Sequence, residues 1–137
     1  MKRYLLDTSA LLTLRDDEAG ADVVADLLSQ SAEAQCHGSF ITPMELLYGV
    51  WKDEGEQAGR LAYEQAQALP ITWVHEDPQL LVQAAAIKAT HNLSLADAWI
   101  AASALLEGAV LVHKDPEFKK LDCPQLELPY KAGRKKS

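Results

Sequence analysis

Hydrophobic and polar positions along the chain alternate between two periods, one typical of short buried strands and one typical of amphipathic helices. The run RYLL at residues 3–6 predicts a first strand, and the next residues, up to ALL at 10–12, are expected to turn back into the core. Helical spacing follows at residues 17–31, where Val23, Val24, Leu27 and Leu28 recur behind an acidic segment. This order predicts a strand followed by a helix.

The same alternation continues to residue 113. Strands are predicted at residues 36–41, 71–74 and 109–113. Helices are predicted in the segment TPMELLYGVWK with Pro43 at its first position, at residues 56–69, from Asp77 to about Asn92, and from Ser94 to Gly108. The run AVLVH at 109–113 is almost continuously apolar, as expected for a central parallel strand covered on both faces. The pattern predicts an α/β fold on a mostly parallel sheet.

Composition and charge limit what such a domain can do. With 137 residues and 48% hydrophobic positions the chain fits one domain, predicted at 1–130, followed by a basic, flexible tail at 131–137. Four of the thirteen basic residues lie in that tail, so residues 1–130 carry 9 basic against 20 acidic residues, a net charge of −11. Such a body repels nucleic acid unless a local basic surface or bound cations compensate.

Neither targeting segments nor cysteine chemistry is indicated. No apolar run is long enough to span a bilayer, and the first residues do not resemble a signal peptide, which favours a cytoplasmic location and no membrane partner. Cys36 and Cys123 stand alone without metal-ligand spacing, so both are expected to be reduced and structural.

Four acidic residues stand apart from the others by their position. Asp7 and Asp115 come just after predicted strands, whereas Glu45 in TPME and Asp97 in SLAD lie in the first turns of predicted helices. In a parallel α/β sheet the carboxyl ends of strands and the starts of the following helices lie on one edge, where ligands bind. The four carboxylates are therefore expected to meet there.

Three of these acids also have an ordinary structural interpretation. The patterns T-x-x-E and S-x-x-D are typical of capping boxes, which would account for Glu45 and Asp97, and the Asp-Pro step at Asp115 is typical of a turn. Asp7 lies between two apolar runs without a capping or turn pattern of the usual kind, which favours burial near a site.

A cluster of carboxylates requires compensation by a cation. Two carboxylates about 5 Å apart repel by roughly 3 kcal/mol at an effective dielectric near 20. His37, His75, His91 and His113 form no paired metal motif, so an all-oxygen donor set suits Mg²⁺ or Mn²⁺ better than zinc. Such ions commonly serve phosphate chemistry, which makes phosphodiester hydrolysis a reasonable hypothesis.

Four segments together resemble the PIN-domain family, in particular the VapC-type toxins of toxin–antitoxin pairs. They are LLDTSALL, ITPMELLYG, SLADAWIAASAL and LVHKDPEF, which occur in this order between residue 4 and about residue 121. The resemblance implies a three-layer α/β/α sandwich and a Mg²⁺- or Mn²⁺-dependent endoribonuclease of RNA, with Asp7, Glu45, Asp97 and Asp115 as catalytic and metal-binding residues. It also implies a VapB-like antitoxin partner and products ending in a 5′-phosphate and a 3′-hydroxyl.

Candidate substrate contacts surround these acids. Ser9 matches a family position where a small polar residue faces the metal, and His113 stands where many members carry threonine or serine, so it could meet a phosphate or simply face solvent. Lys114 and Lys119, with Lys120, Lys52 and Arg60, are candidates for contacts to the RNA backbone, although solvated lysines are the commoner case. Tyr48 and Trp51 are candidates for a homodimer or antitoxin surface, with core packing as the alternative.

Two other functional classes remain open from the sequence. A phosphoacceptor signalling domain also places an acid at a strand end, although it usually pairs two acids at the first strand. A noncatalytic PIN-like module could bind RNA or protein without cutting, although none of the four acids is absent.

Overall fold

The computed structural model describes residues 1–30 and 32–130, so the predicted basic tail at 131–137 lies outside the described residues. In chain order the elements are β1 (Lys2–Leu6), α1 (Thr8–Arg15), α2 (Ala21–Ser29), β2 (Ala34–Ser39), α3 (Thr42–Glu54), α4 (Glu56–Gln67), β3 (Ile71–Val74), α5 (Pro78–Thr90), α6 (Leu95–Glu107), β4 (Val110–His113), a 3₁₀ turn (Pro116–Lys120) and β5 (Gln125–Glu127).

The five strands form one parallel sheet in the order β3-β2-β1-β4-β5. β1 lies between β2 and β4, with Leu5 opposite Leu111 and Leu6 opposite Val112. The chain builds outward from β1 first in one direction and then in the other, so the ends of β1 and β4 flank the point where the winding reverses. Folds of this type bind their ligands at that point.

Helices cover both faces of the sheet, as the α/β/α prediction requires. Leu5 packs in a cluster with α5 and α6, whereas its neighbour Leu6 packs in a second cluster with residues of α1, α2, α3 and α4. Successive strand residues point to opposite faces, which is why two adjacent leucines enter different cores. The three-layer architecture on a mostly parallel sheet is therefore confirmed.

Several local predictions differ from the structure. Residues 8–15 form helix α1 rather than a turn, because Asp7 has extended backbone geometry and its side chain accepts a hydrogen bond from the amide of Ala10, as an N-cap does. Strand β5 was not predicted, and α2 begins at Ala21 instead of residue 17. Across the described residues, the helices are too short or too polar to cross a membrane.

Candidate active site at the carboxyl edge of the sheet

Asp7 lies directly after β1 and is almost fully buried, with 3% of its surface exposed. Its backbone amide donates to the carbonyl of Val112 on β4 at 3.1 Å, and its Oδ1 accepts from the amide of Ala10 at 2.8 Å. The expectation that Asp7 has no capping role is therefore wrong, whereas its burial is as expected. One carboxylate both starts α1 and lies at the carboxyl edge of the sheet.

Ser9 connects Asp7 to the end of β4. Its hydroxyl donates to the Asp7 carboxylate, with Oγ 2.7 and 2.9 Å from the two oxygens, and accepts from the amide of Lys114 at 2.9 Å. Ser9 thus lies beside the first acid, as the resemblance implied, but its hydroxyl is engaged by protein groups. The role of Ser9 in these contacts is to orient Asp7.

Glu45 lies in the first turn of α3 but does not form a capping box with Thr42. The N-cap is Ile41, whose carbonyl accepts from the Glu45 amide, so Thr42 is already a helical residue. The Glu45 carboxylate instead accepts from the Thr8 hydroxyl, with 2.6 Å between Oε1 and Oγ1, and Thr8 also contacts Thr42. The capping interpretation of Glu45 is wrong because the helix begins one residue earlier than the sequence predicts.

The turn interpretation of Asp115 agrees with the structure, whereas only the Ser94 half of the predicted capping box forms, because no hydrogen bond joins the Ser94 amide to the Asp97 carboxylate among the described residues. Ser94 caps α6 by accepting from the Asp97 amide at 3.1 Å, and the Asp115 carboxylate accepts from the amide of Glu117 at 3.0 Å at the start of the 3₁₀ turn. Both contacts leave carboxylate oxygens available. Each acid therefore has a local structural function and lies at the same edge of the sheet.

The electrostatics of these acids indicate that they lie near one another. The pKa of Asp7 is raised from 3.8 to about 7, mainly by burial and in addition by the charges of Asp97 and Asp115, against the lowering effect of its contacts with Ser9 and Ala10. The pKa of Asp97 is likewise raised to about 6, mainly by burial and in addition by the charges of Asp115 and Glu45. The structure thus brings the four predicted acids into electrostatic contact.

The donor chemistry of this cluster fits Mg²⁺ or Mn²⁺. Within residues 1–30 and 32–130, no group of three His, Cys, Asp or Glu side chains is positioned to hold an ion as it stands. Mg²⁺ keeps several waters and is usually bound through only one or two carboxylates, so a ready-made cage is not required. A buried carboxylate with a pKa near 7 is stabilised by a nearby cation, and all the donors here are hard oxygens.

Two of the predicted substrate contacts are contradicted by the structure. His113 is fully buried, with one ring nitrogen accepting from the Asp115 amide and the other 2.8 Å from Gln125 Oε1, so it faces neither a phosphate nor solvent. Lys114 is also buried, because its ammonium donates to the carbonyl of Ala19 at 2.7 Å and lies 3.6 Å from Glu18. Both side chains form contacts within the protein, next to the acidic residues.

The remaining basic candidates lie on the surface. Lys119 is 3.1 Å from Glu127 with 62% of its side chain exposed, and Lys120 contacts Glu117 and the carbonyl of Asn92. Arg60 pairs with Glu56 and lies over the ring of Trp51. Their contact with RNA stays a prediction.

Sequence reasoning missed two residues that organise the site, Thr8 and Gln125. A hydroxyl directly after a buried acid could have drawn attention to Thr8, whereas Gln125 carries no signal in the sequence because β5 is only three residues long.

The geometry defines a parallel α/β domain with a cluster of acidic side chains where the winding of the sheet reverses. A family model described as "PIN domain" matches residues 4–123, so the chain belongs to the PIN-domain family, whose members are generally nucleases. This confirms the resemblance found in the sequence. No curated protein sequence matches the chain.

Solved structures support the same fold. VapBC2 of Rickettsia felis, bound to a promoter DNA fragment, is 17% identical, with a TM-score of 0.76 over 93% of this chain and 99% of that one. A toxin–antitoxin complex of Klebsiella pneumoniae is 26% identical, with a TM-score of 0.60 over 84% and 89%. VapC20 of Mycobacterium tuberculosis, a Sarcin-Ricin loop cleaving toxin, is 17% identical, with a TM-score of 0.67 over 85% and 93%.

Proposed function

We propose that this protein is a Mg²⁺- or Mn²⁺-dependent endoribonuclease and the toxin of a toxin–antitoxin pair. The observation that carries the proposal is the buried Asp7 carboxylate, whose pKa is raised to about 7 by burial and by the neighbouring Asp97 and Asp115. VapC20, which has the same fold, is a Sarcin-Ricin loop cleaving toxin, and this supports the proposal of RNA as the substrate class.

In this proposal Asp7, Asp97 and either Glu45 or Asp115 would hold one or two ions, directly or through water. When bound, the ion supplies positive charge to the phosphoryl oxygens and activates the attacking water. Ser9 fixes the orientation of the Asp7 carboxylate, and Thr8 fixes that of Glu45 through its hydroxyl. The net charge of −11 over residues 1–130 repels a polyanionic substrate, and a bound cation would reduce that repulsion at this edge.

The proposal is tested by incubating purified protein with total RNA in Mg²⁺, in Mn²⁺ and in EDTA. We expect cleavage only with metal, yielding 5′-phosphate and 3′-hydroxyl ends, and a loss of at least a hundredfold in Asp7→Asn. Asp53→Asn is the matched control, because Asp53 is exposed near the end of α3, about 12 Å along the helix from Glu45. Cleavage by Asp7→Asn at the wild-type rate would contradict the assignment.

Metal binding without cleavage would favour the alternative of a noncatalytic PIN-like module. Stable transfer of a phosphate from a small phosphodonor, detected by intact mass, would favour the phosphoacceptor alternative.

The proposal includes two protein partners, a VapB-like antitoxin and a second copy of the chain, and a cytoplasmic location. Matching structures that are themselves toxin–antitoxin complexes support the antitoxin. Met44, Tyr48 and Trp51 on α3 have exposed fractions of 58%, 54% and 42%, which supports an interface on this helix. Light scattering at two concentrations tests the dimer, and a small upstream reading frame for a DNA-binding protein would support the antitoxin.

A further inference from the structure

His113 is the last residue of β4, two residues before Asp115, and its ring is completely buried. Its Nδ1 accepts a hydrogen bond from the Asp115 amide at 3.0 Å. Because a neutral imidazole has one donor and one acceptor nitrogen, the proton lies on Nε2, which donates to Gln125 Oε1 at 2.8 Å. Both ring nitrogens are therefore engaged within the protein.

Gln125 extends this contact to the far end of the segment that follows Asp115. Its Nε2 donates to the carbonyl of Phe118 at 2.7 Å and to that of Leu121 at 3.2 Å. The 3₁₀ turn from Pro116 to Lys120 is thus held at its start by His113 and at its end by Gln125. The ring of Phe118, also fully buried, lies 5.1 Å from that of His113.

The amide of Lys114, just before that of Asp115, is held by a different side chain. The Lys114 amide donates to Ser9, and Ser9 donates to Asp7, whereas the next amide, that of Asp115, donates to His113. Two consecutive amides are consequently fixed by two different side chains. This arrangement determines where the Asp115 carboxylate lies relative to Asp7.

We propose that His113 and Gln125 form a positioning unit that holds Asp115 in place for metal binding in this protein. The inference rests on the proposed metal-dependent function and adds two residues that contact neither metal nor RNA. Residues that orient metal ligands commonly change metal affinity by 10- to 100-fold when they are removed.

The test uses three variants of the full chain and one control. His113→Leu removes the acceptor of the Asp115 amide. His113→Asn keeps an acceptor, because an asparagine oxygen can bond the amide two residues later, but is too short to retain the contact with Gln125. Gln125→Met keeps His113 and removes its anchor. His37→Leu is the control, a buried histidine whose ring nitrogens have no hydrogen-bond partner within the described residues and which lies beside Glu107.

Two readouts are needed, the Mn²⁺ affinity by titration calorimetry and the exchange rate of the Asp115 amide hydrogen by NMR. We expect Mn²⁺ binding to weaken at least tenfold in His113→Leu and about threefold in His113→Asn and Gln125→Met, and to stay unchanged in His37→Leu. The Asp115 amide should exchange slowly in the wild type and His113→Asn, and fast in His113→Leu.

Wild-type Mn²⁺ affinity in His113→Leu would overturn the proposal, as would an Asp115 amide that already exchanges fast in the wild type. If His113→Leu fails to fold, judged by circular dichroism, unchanged Mn²⁺ affinity in both other variants would overturn it. A wild type that binds no Mn²⁺ would overturn this proposal and the metal role together. Weakened binding in His113→Leu beside a wild type that leaves RNA intact would support the positioning unit and contradict only the ribonuclease.

Discussion

Acidic side chains have opposite electrostatic environments at the two ends of the sheet. At the carboxyl end Asp7 is buried beside Asp97 and Asp115, and burial together with their charges raises its pKa to about 7. Toward the amino end Glu107 closes α6 beside the guanidinium of Arg3, with 3.7 Å between Glu107 Oε1 and Arg3 Nη1, and Arg3 also donates to the Glu107 carbonyl. One acid is opposed by like charges and the other is paired with a cation.

The difference indicates where a cation would be most stabilising. An ion pair such as that of Arg3 and Glu107 satisfies local electrostatics and leaves little for a ligand to gain. Crowded buried carboxylates lower the stability of the protein whenever they ionise, and a bound divalent ion recovers that loss. At the carboxyl end the acids therefore have unfavourable electrostatics that the proposed cation would relieve.

The largest expected effect is on the stability of the metal-free protein. A folded-state pKa of about 7 against 3.8 in the unfolded chain means that the folded state holds its proton more tightly, so stability falls as pH rises from about 4 to 7 and stays low above that. The full cost is roughly 4 kcal/mol at most. Asp7→Asn keeps the N-cap, since Asn and Asp cap equally well, and removes the charge.

We therefore expect Asp7→Asn to raise the melting temperature in EDTA at pH 8 by about 5 to 10 °C, and by little at pH 4. Mg²⁺ should raise the melting temperature of the wild type by several degrees and have no such effect on the variant. Differential scanning calorimetry across this pH range measures both. An Asp7→Asn protein that melts below the wild type at pH 8 would show that the carboxylate is not strained by burial.

A smaller and opposite pH dependence is expected toward the other end of the sheet. Burial lowers the pKa of His37, and the charge of Arg3 lowers it too, against the raising effect of Glu107. The unfolded chain therefore takes up a proton near pH 6.5 that the folded state resists. Stability is thus lost as pH falls below 6.5. His37→Leu should be more stable than the wild type by about 1 to 3 kcal/mol at pH 5 and by less at pH 8, measured by urea unfolding. A larger gain at pH 8 would contradict this.

The smallest effect is expected for Glu107→Gln. Half of the Arg3 side chain is exposed, and exposed ion pairs contribute up to about 1 kcal/mol. The melting temperature should change by less than about 3 °C, and the response to Mg²⁺ should stay that of the wild type. A loss of the Mg²⁺ response would mean that the two ends of the sheet are coupled.

The sequence predicted the architecture better than the details that organise the site. Continuous apolar runs such as AVLVH predict central strands, because burial on both faces leaves few alternatives, and four acids at element ends predict a common edge. Strand β5 was not predicted, because a three-residue strand is too short to show a periodicity. The N-cap of α1 was hidden because Asp7 interrupts one apolar run and was interpreted as a buried acid alone.

The side-chain partners could not be predicted, since they depend on register between distant elements. Thr8 meets Glu45 across 37 positions, and the Lys114 amide meets Ser9 across 105. His113 was expected at a phosphate or in solvent because the sequence gives no indication that Gln125 lies beside it. Sequence patterns identify the ionisable groups, and the packing of β4 against β1 and β5 decides what each of them contacts.

The position of β4 has a consequence for the moment at which activity can arise. Asp7 is synthesised more than a hundred residues before Asp115, and its amide donates a hydrogen bond to the carbonyl of Val112, which is also made late. During synthesis β1 has no neighbour on its β4 side until that part of the chain emerges. A polypeptide growing on the ribosome therefore lacks the complete cluster of acids until β4 and the residues just after it have emerged.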